Sequence, residues 1–215
     1  MAKNYVSNKQ ETPQLFESKF MEFFSHTHPA VPAILYIPVV LIFLYLTFFQ
    51  YDLNVFYSVL LFFVGMFFWS FTEYNLHRFV FHWVPDSDLG KKLHFIMHGV
   101  HHDYPNDPKR LVMPPVISIP LAIFFYFVFY FIIGKHYSAP FFSGFVLGYV
   151  YYDTMHYAVH HFPIKNKFFL NIKKHHMKHH YQNEDLGYGV SSPFWDKIYG
   201  TDFPKTQSEG TVVGN

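Results

Sequence analysis

Residues 174–181 read KHHMKHHY, a stretch that puts four histidines within six positions beside lysines at 173, 174 and 178. Packing alone is a poor explanation of such density. Read as a helix, positions three and four apart share a face, so His176, His179 and His180 can turn one way. His175 has His179 as its own i+4 partner, and the group can equally be read from His175. Three further histidine groups precede it: His77 and His82; His94, His98, His101 and His102; His156, His160 and His161. A single metal site fed by all four groups, held against a membrane by the apolar segments between them, is the arrangement this pattern points to.

The composition agrees. The 215 residues suit one domain, and 51% hydrophobic with 14% charged residues leaves too little polar surface for a soluble globule. A mean hydropathy of +0.08 averages very apolar runs with histidine-loaded polar ones. The 29 Phe and 17 Tyr suit lipid and headgroup belts. A net charge of +1 argues against a nucleic-acid partner. With no cysteine, disulfides, iron-sulfur clusters and thiolate-bound zinc are excluded, leaving imidazole and carboxylate as strong ligands.

Four apolar runs follow from the hydropathy: about 31–49, 55–72, 114–133 and 141–160, against the roughly 20 residues a helix needs to cross a bilayer. Pro38 is expected to kink the first. The first two read as a helical hairpin ending at Glu73 and His77, and residues 134–140 are expected to turn the chain between the last two. The fourth run meets Asp153 early, so its helix is expected to continue to His160, carrying ligands at headgroup level. Residues 1–30 lack a signal-peptide pattern and are expected to be a cytosolic segment; 31–204 form the functional domain and 205–215 a flexible tail. Three basic residues precede the first run, five lie between the second and third, seven follow the fourth, and only Lys135 falls opposite. That asymmetry predicts both termini and every histidine group on the cytoplasmic side. The expected fold is all-α: an integral membrane protein with four transmembrane helices and a cytosolic helical cap carrying a histidine-rich dimetal site.

Spacing ranks the ligands. His98, His101 and His102 stand at i, i+3, i+4, as do His176, His179 and His180, while His156 and His160 are at i, i+4. His77 and His82 are five apart, about 140° around an ideal helix, and share a site only if the helix is unwound or bulged there. Ten neutral imidazoles are too many for one metal and suit two, each with room for a water or oxygen species; iron, zinc, copper and nickel all accept imidazole. Outer carboxylates should offset the charge: Glu73, one turn before His77; Asp153, one turn before His156; and Asp103, after His102. His94 and His175 are further outer candidates. His161 should point elsewhere, and His26, His28 and His136 lie outside the clusters.

The motifs HRFVFH (77–82), HGVHH (98–102), HYAVH (156–160) and HMKHH (176–180), followed by GYGVSSPFWDKIYGT (187–201), resemble the fatty acid hydroxylase superfamily of integral membrane di-metal oxygenases, most closely the fatty acid 2-hydroxylases. The resemblance covers roughly residues 67–201. It implies metal ligands at His77, His82, His98, His101, His102, His156, His160, His176, His179 and His180, choosing His176 over His175. It also implies a monooxygenase acting at carbon 2 of a fatty acyl chain, free or within a sphingolipid. Two iron ions, molecular oxygen and an external electron donor would serve it, with zinc able to occupy the same imidazoles. The chain has no His-Pro-Gly-Gly motif of a cytochrome b5 domain, so a separate cytochrome b5-like protein, or a ferredoxin with its reductase, is the expected donor. The other partners are the lipid acyl substrate and the surrounding membrane lipid. A bacterial inner membrane is the expected compartment in preference to the endoplasmic reticulum.

Trp69, Tyr152 and Tyr157 are candidate substrate walls, with Tyr188 and Trp195 as lid residues. The rival readings are a desaturase, sterol oxidase or carotenoid hydroxylase of the same superfamily and, from another class, a membrane metal transporter, which would place its ligands near the membrane midplane. No His-Glu-x-x-His occurs, which disfavours a zinc protease.

Overall fold

The computed structural model describes residues 4–204; the tail expected at 205–215 lies outside the described residues. Among the described residues every regular element is helical. A short α1 (Lys19–Ser25) precedes α2 (Val31–Tyr45), which runs into a π turn at Leu46–Gln50. Next comes α3 (Val55–Leu76), extended by a π turn at His77–Phe81. Helix α4 (Asp88–His94), a π turn at Phe95–Gly99 and α5 (Val100–Asp103) form one continuous stretch. The long α6 (Pro115–His161), α7 (Lys167–Tyr181) and α8 (Phe194–Tyr199) complete the chain.

Side chains start several of these helices by accepting otherwise unpaired amide protons. Asn54 accepts from Phe56 N at 2.9 Å, Ser87 from Gly90 N at 3.1 Å and Asn166 from Phe168 N at 2.9 Å. Pro38 lacks an amide proton, yet α2 continues through it to Tyr45.

Helix α6 is two arms. Gly134 has φ 80° and ψ 163°, a backbone state open essentially to glycine alone, and the chain reverses there. On a straight helix, 20 residues span about 30 Å; instead the Phe125 and Phe145 ring centroids are 4.9 Å apart, with Phe129 and Phe141 at 4.7 Å. The arms, residues 115–133 and 135–161, are therefore antiparallel. The turn expected over 134–140 is concentrated at Gly134, and residues 135–140 are already helical, because a single glycine absorbs the whole reversal.

The second arm packs on α3 at backbone contact. A Cβ on Gly65 would lie 2.0 Å from the Phe141 carbonyl oxygen, and one on Gly144 would lie 1.8 Å from that of Phe62. Small residues that let backbones touch are the usual adhesive between helices in lipid, where burying apolar surface brings no gain. Tyr36, Val40, Trp69, Phe142, Phe145 and Tyr149 fill the core beside this crossing. Outward, Ile34, Phe56, Phe131 and Ile132 are 69–79% exposed, an apolar surface on helices long enough to cross a bilayer: Val31–Gln50, Val55–Phe81 and Pro115–His161 have mean hydropathies of 2.3, 1.9 and 2.5. The chain is an integral membrane protein.

Candidate metal centre

The ten expected ligands lie together as two groups of five. His77, His82, His98, His102 and His179 form one; His101, His156, His160, His176 and His180 form the other. Within each group the ligand atoms all lie within 4.8 Å of one another. Neighbouring Nε2 atoms approach to 2.9–3.3 Å, as in His77–His98 at 3.1 Å and His101–His156 at 2.9 Å. The i+4 partners stay together (His98 with His102, His156 with His160, His176 with His180), but the third member of each triplet crosses over: His101 joins the second group and His179 the first. A shared face at i, i+3, i+4 is wide enough to be divided, and adjacent residues 100° apart reach different centres.

His77 and His82 meet through a π turn. His82 N donates to His77 O at 3.1 Å, an i+5 bond, and the wider turn brings both Nε2 atoms to 3.3 Å. This is the distortion their spacing demanded, and π turns occur mostly at functional sites.

The outer partners fix which nitrogen faces inward. His77 Nδ1 donates to the Tyr188 carbonyl at 2.5 Å and His179 Nδ1 to that of Leu186 at 2.8 Å, so their Nε2 atoms carry the lone pair, as metal-binding histidines require. In the second group the Nδ1 atoms of His101, His160, His176 and His180 are buried without a hydrogen-bond partner, while His156 meets the Leu111 backbone. Burial first, and then neighbouring rings, hold His98, His101, His102, His176, His179 and His180 well below the usual histidine value; the same causes push His82 down to about 2. These imidazoles are neutral at pH 7. Buried lone pairs converging on two points repel one another unless a cation lies between them, so the donor set fits two metal ions that accept imidazole, a class including iron and zinc.

The expected outer acids take different places. Glu73 is buried and reaches across to the C-terminal segment: its carboxylate accepts Val190 N at 2.9 Å, Ser191 N at 2.7 Å and the Ser191 hydroxyl. It thereby steadies the strand of chain whose Tyr188 carbonyl holds His77. Asp153 is buried and lines a cavity beside the second group. Asp103 presents its backbone carbonyl to Val6 N and Ser7 N; the acid nearer His102 is Glu184, 3.6 Å from Nδ1. His94 and His175 belong to neither group. His175 Nε2 instead donates to Asp196 at 3.0 Å.

Asp196 received no role from the sequence. It is fully buried and accepts Tyr188 N at 2.9 Å, Gly189 N at 2.8 Å and the Thr201 hydroxyl at 2.8 Å. Arg78 donates to Tyr74 and Tyr74 bonds Thr201, each at 2.9 Å, tying this knot to the end of α3. Its only sequence signal was a place inside the GYGVSSPFWDKIYGT stretch.

A cavity of about 410 Å³ opens on both groups, lined by His98, His101 and His156 and by Tyr152 and Asp153. Of the expected substrate walls only Tyr152 borders it. Trp69 is buried in the bundle core, Tyr157 stacks on His161 at 4.4 Å, and Tyr188 packs on His77, His82 and His179. Trp195 donates to Ser70 at 3.0 Å beside Phe67 and Phe71. Further lining comes from residues between Leu15 and Ser25, a segment without a sequence signal for this role.

The model of the fatty acid hydroxylase family matches residues 62–201, a stretch holding all ten histidines. The chain belongs to the fatty acid hydroxylase family. The ceramide very long chain fatty acid hydroxylase of Saccharomyces cerevisiae is 41% identical over 153 residues, 70% of this chain and 40% of that protein. The fatty acid 2-hydroxylase of Mus musculus is 38% identical over 212 residues, 89% of this chain and 57% of that protein. A solved structure of full-length scs7p, with only its hydroxylase domain visible, superposes with a TM-score of 0.83 at 37% identity, covering 88% of this chain and 72% of that one. This hydroxylase-family chain thus spans about half the length of those two relatives. Both come from eukaryotes, and the expectation of a bacterial inner membrane finds no support in them.

Proposed function

We propose that the protein is a membrane hydroxylase acting at carbon 2 of fatty acyl chains, free or within a sphingolipid. The observation that carries this is a cavity bordered by both five-histidine groups and otherwise mostly apolar. The ten histidines would hold a metal pair, and a bound pair of iron ions would supply the oxygen-activating chemistry.

The protein's own contribution is placement. Tyr188 O and Leu186 O hold His77 and His179 with Nε2 inward. The apolar walls (Phe81, Ile96, Met97, Val112 and Ile117) align an acyl chain and keep water from the reacting carbon. Tyr152 and Asp153 are the groups beside His156 best placed to meet a polar head. A ceramide acyl chain fits the activity for which the yeast relative is named, and a fatty acyl chain that of the mouse relative. The four antiparallel apolar arms cross the bilayer, with the histidine groups and both termini on the basic, cytoplasmic side. Electrons come from a separate electron-transfer protein.

The test is turnover by purified protein loaded with iron, in vesicles containing ceramide and fatty acid, with oxygen and a reductase system. Products gaining one oxygen at carbon 2 by mass spectrometry are the expected result. Products that have lost two hydrogens, or oxygen placed elsewhere, would replace it with a desaturase, sterol oxidase or carotenoid hydroxylase of the same superfamily.

A further inference from the structure

We propose that the N-terminal strap, residues 12–27, is the wall that decides which acyl chains the cavity accepts, with Phe16, Met21 and Phe24 as chain-length determinants and Arg110 as the residue positioning them. The inference deepens the acyl-hydroxylase reading and rests on it.

The strap lines the cavity through Leu15, Phe16, Phe20, Met21, Phe24 and Ser25, yet it is not packed like the rest of the molecule. Helix α1 buries none of its residues. Phe20 and Phe23 are each 73% exposed, an outward apolar side suited to the interface of a bilayer. What holds the strap is polar. The Arg110 side chain is 4% exposed; it donates to Glu22 at 2.6 Å, to Pro13 O at 2.6 Å, and to His26 at 2.9 Å. Glu22 also accepts Leu15 N and Phe16 N, each at 3.0 Å. Asp107 accepts the Thr12 hydroxyl at 2.7 Å, and Thr27 N donates to Lys109 O at 2.8 Å, so both ends are tied to the 107–110 loop.

That loop leads directly into Leu111, Val112 and Met113, which line the cavity together with the strap. One short stretch therefore supplies part of one wall and the clamp of the other. A wall fixed by ion pairs and backbone bonds can change its apolar side chains without repacking the helices that carry the histidines. Such a surface suits discrimination by shape, where one methylene in an apolar pocket is worth about tenfold or more.

Two measurements on the full chain in vesicles decide it. The first compares product chain lengths for the parent, Phe24→Ala, Met21→Trp and Glu22→Gln, each checked for unchanged metal content. Phe24→Ala is expected to raise the ratio of long to short products about tenfold and Met21→Trp to lower it as much; Glu22→Gln, which weakens the clamp, should broaden the distribution in both directions. The second irradiates a fatty acyl chain bearing a diazirine near its end and maps the adducts, expected at residues 15–25. An unchanged distribution in all three variants, or adducts confined to other walls, overturns the proposal. Adducts on the strap in a protein that never hydroxylates carbon 2 would instead uphold the wall and sink the reaction assigned to it.

Discussion

The two histidine groups are alike in number and burial but are built by different means. Four of the second group's five ligands stand on ordinary helices, His156 and His160 on one and His176 and His180 on another, each an i, i+4 pair, and His101 joins them from α5. The first needs a π turn to bring His77 to His82, and it leans on carbonyls of the 186–188 segment, which Asp196 holds at Tyr188 N and Glu73 steadies just beyond, at Val190 N. Helical geometry orients most of the second group; a folded C-terminal segment must be in place before the first is oriented. The first should therefore be the one that responds to substitutions far from any metal.

The largest break in this comparison is loss of a ligand. His179→Ala and His176→Ala should each halve the bound metal and lower turnover by more than the roughly 100-fold that losing an outer partner costs, with metal content read by elemental analysis and turnover by product mass. Equal metal in parent and variants would remove these residues from the ligand set. Next in size is Asp196→Asn, which weakens the bonds to Tyr188 N and Gly189 N. Its expected mark is a metal affinity about 10–100-fold lower at one site and unchanged at the other, seen as two phases in a chelator titration where the parent gives closely spaced ones. Uniform weakening would mean that the C-terminal segment supports both groups alike.

A third test reads stability against pH. The folded values of His82, His98, His101, His102, His176, His179 and His180 lie below 6.5. Below that pH the unfolded chain binds protons that the folded chain refuses, so stability falls as pH falls. Metal-free protein should melt at progressively lower temperature from pH 7 to pH 5, and bound metal should oppose the drop by keeping the rings deprotonated. A melting temperature that is flat or rises on acidification would mean that the rings are not neutral in the folded protein.

Much of this was legible in the sequence because it depends on local periodicity. The i, i+4 pairs, the apolar runs and the distortion required between His77 and His82 all follow from residues a few positions apart. The division of each triplet between two centres was not, because a face shared at i, i+3 and i+4 has a width that spacing does not resolve; only the approach of another helix decides which edge serves which group. Spacing likewise left His175 open, and its bond to Asp196 depends on a segment that returns from beyond residue 185. The N-terminal wall was invisible for a similar reason. Glu22 and Arg110 are 88 residues apart, and nothing around either residue names its partner. Gly134 stood at the start of the predicted turn, but that it would make the turn alone shows only in its backbone angles.

The paired neighbours His101–His102 and His179–His180 each send one ring to either group. Their Cα atoms are separated by the fixed span of a single peptide unit, about 3.8 Å. The interval between the two centres is thus gauged by covalent bonds at two places rather than by how tightly helices press together. Breathing of the bundle in a fluid membrane would carry both centres along in step, as two wheels on a common axle.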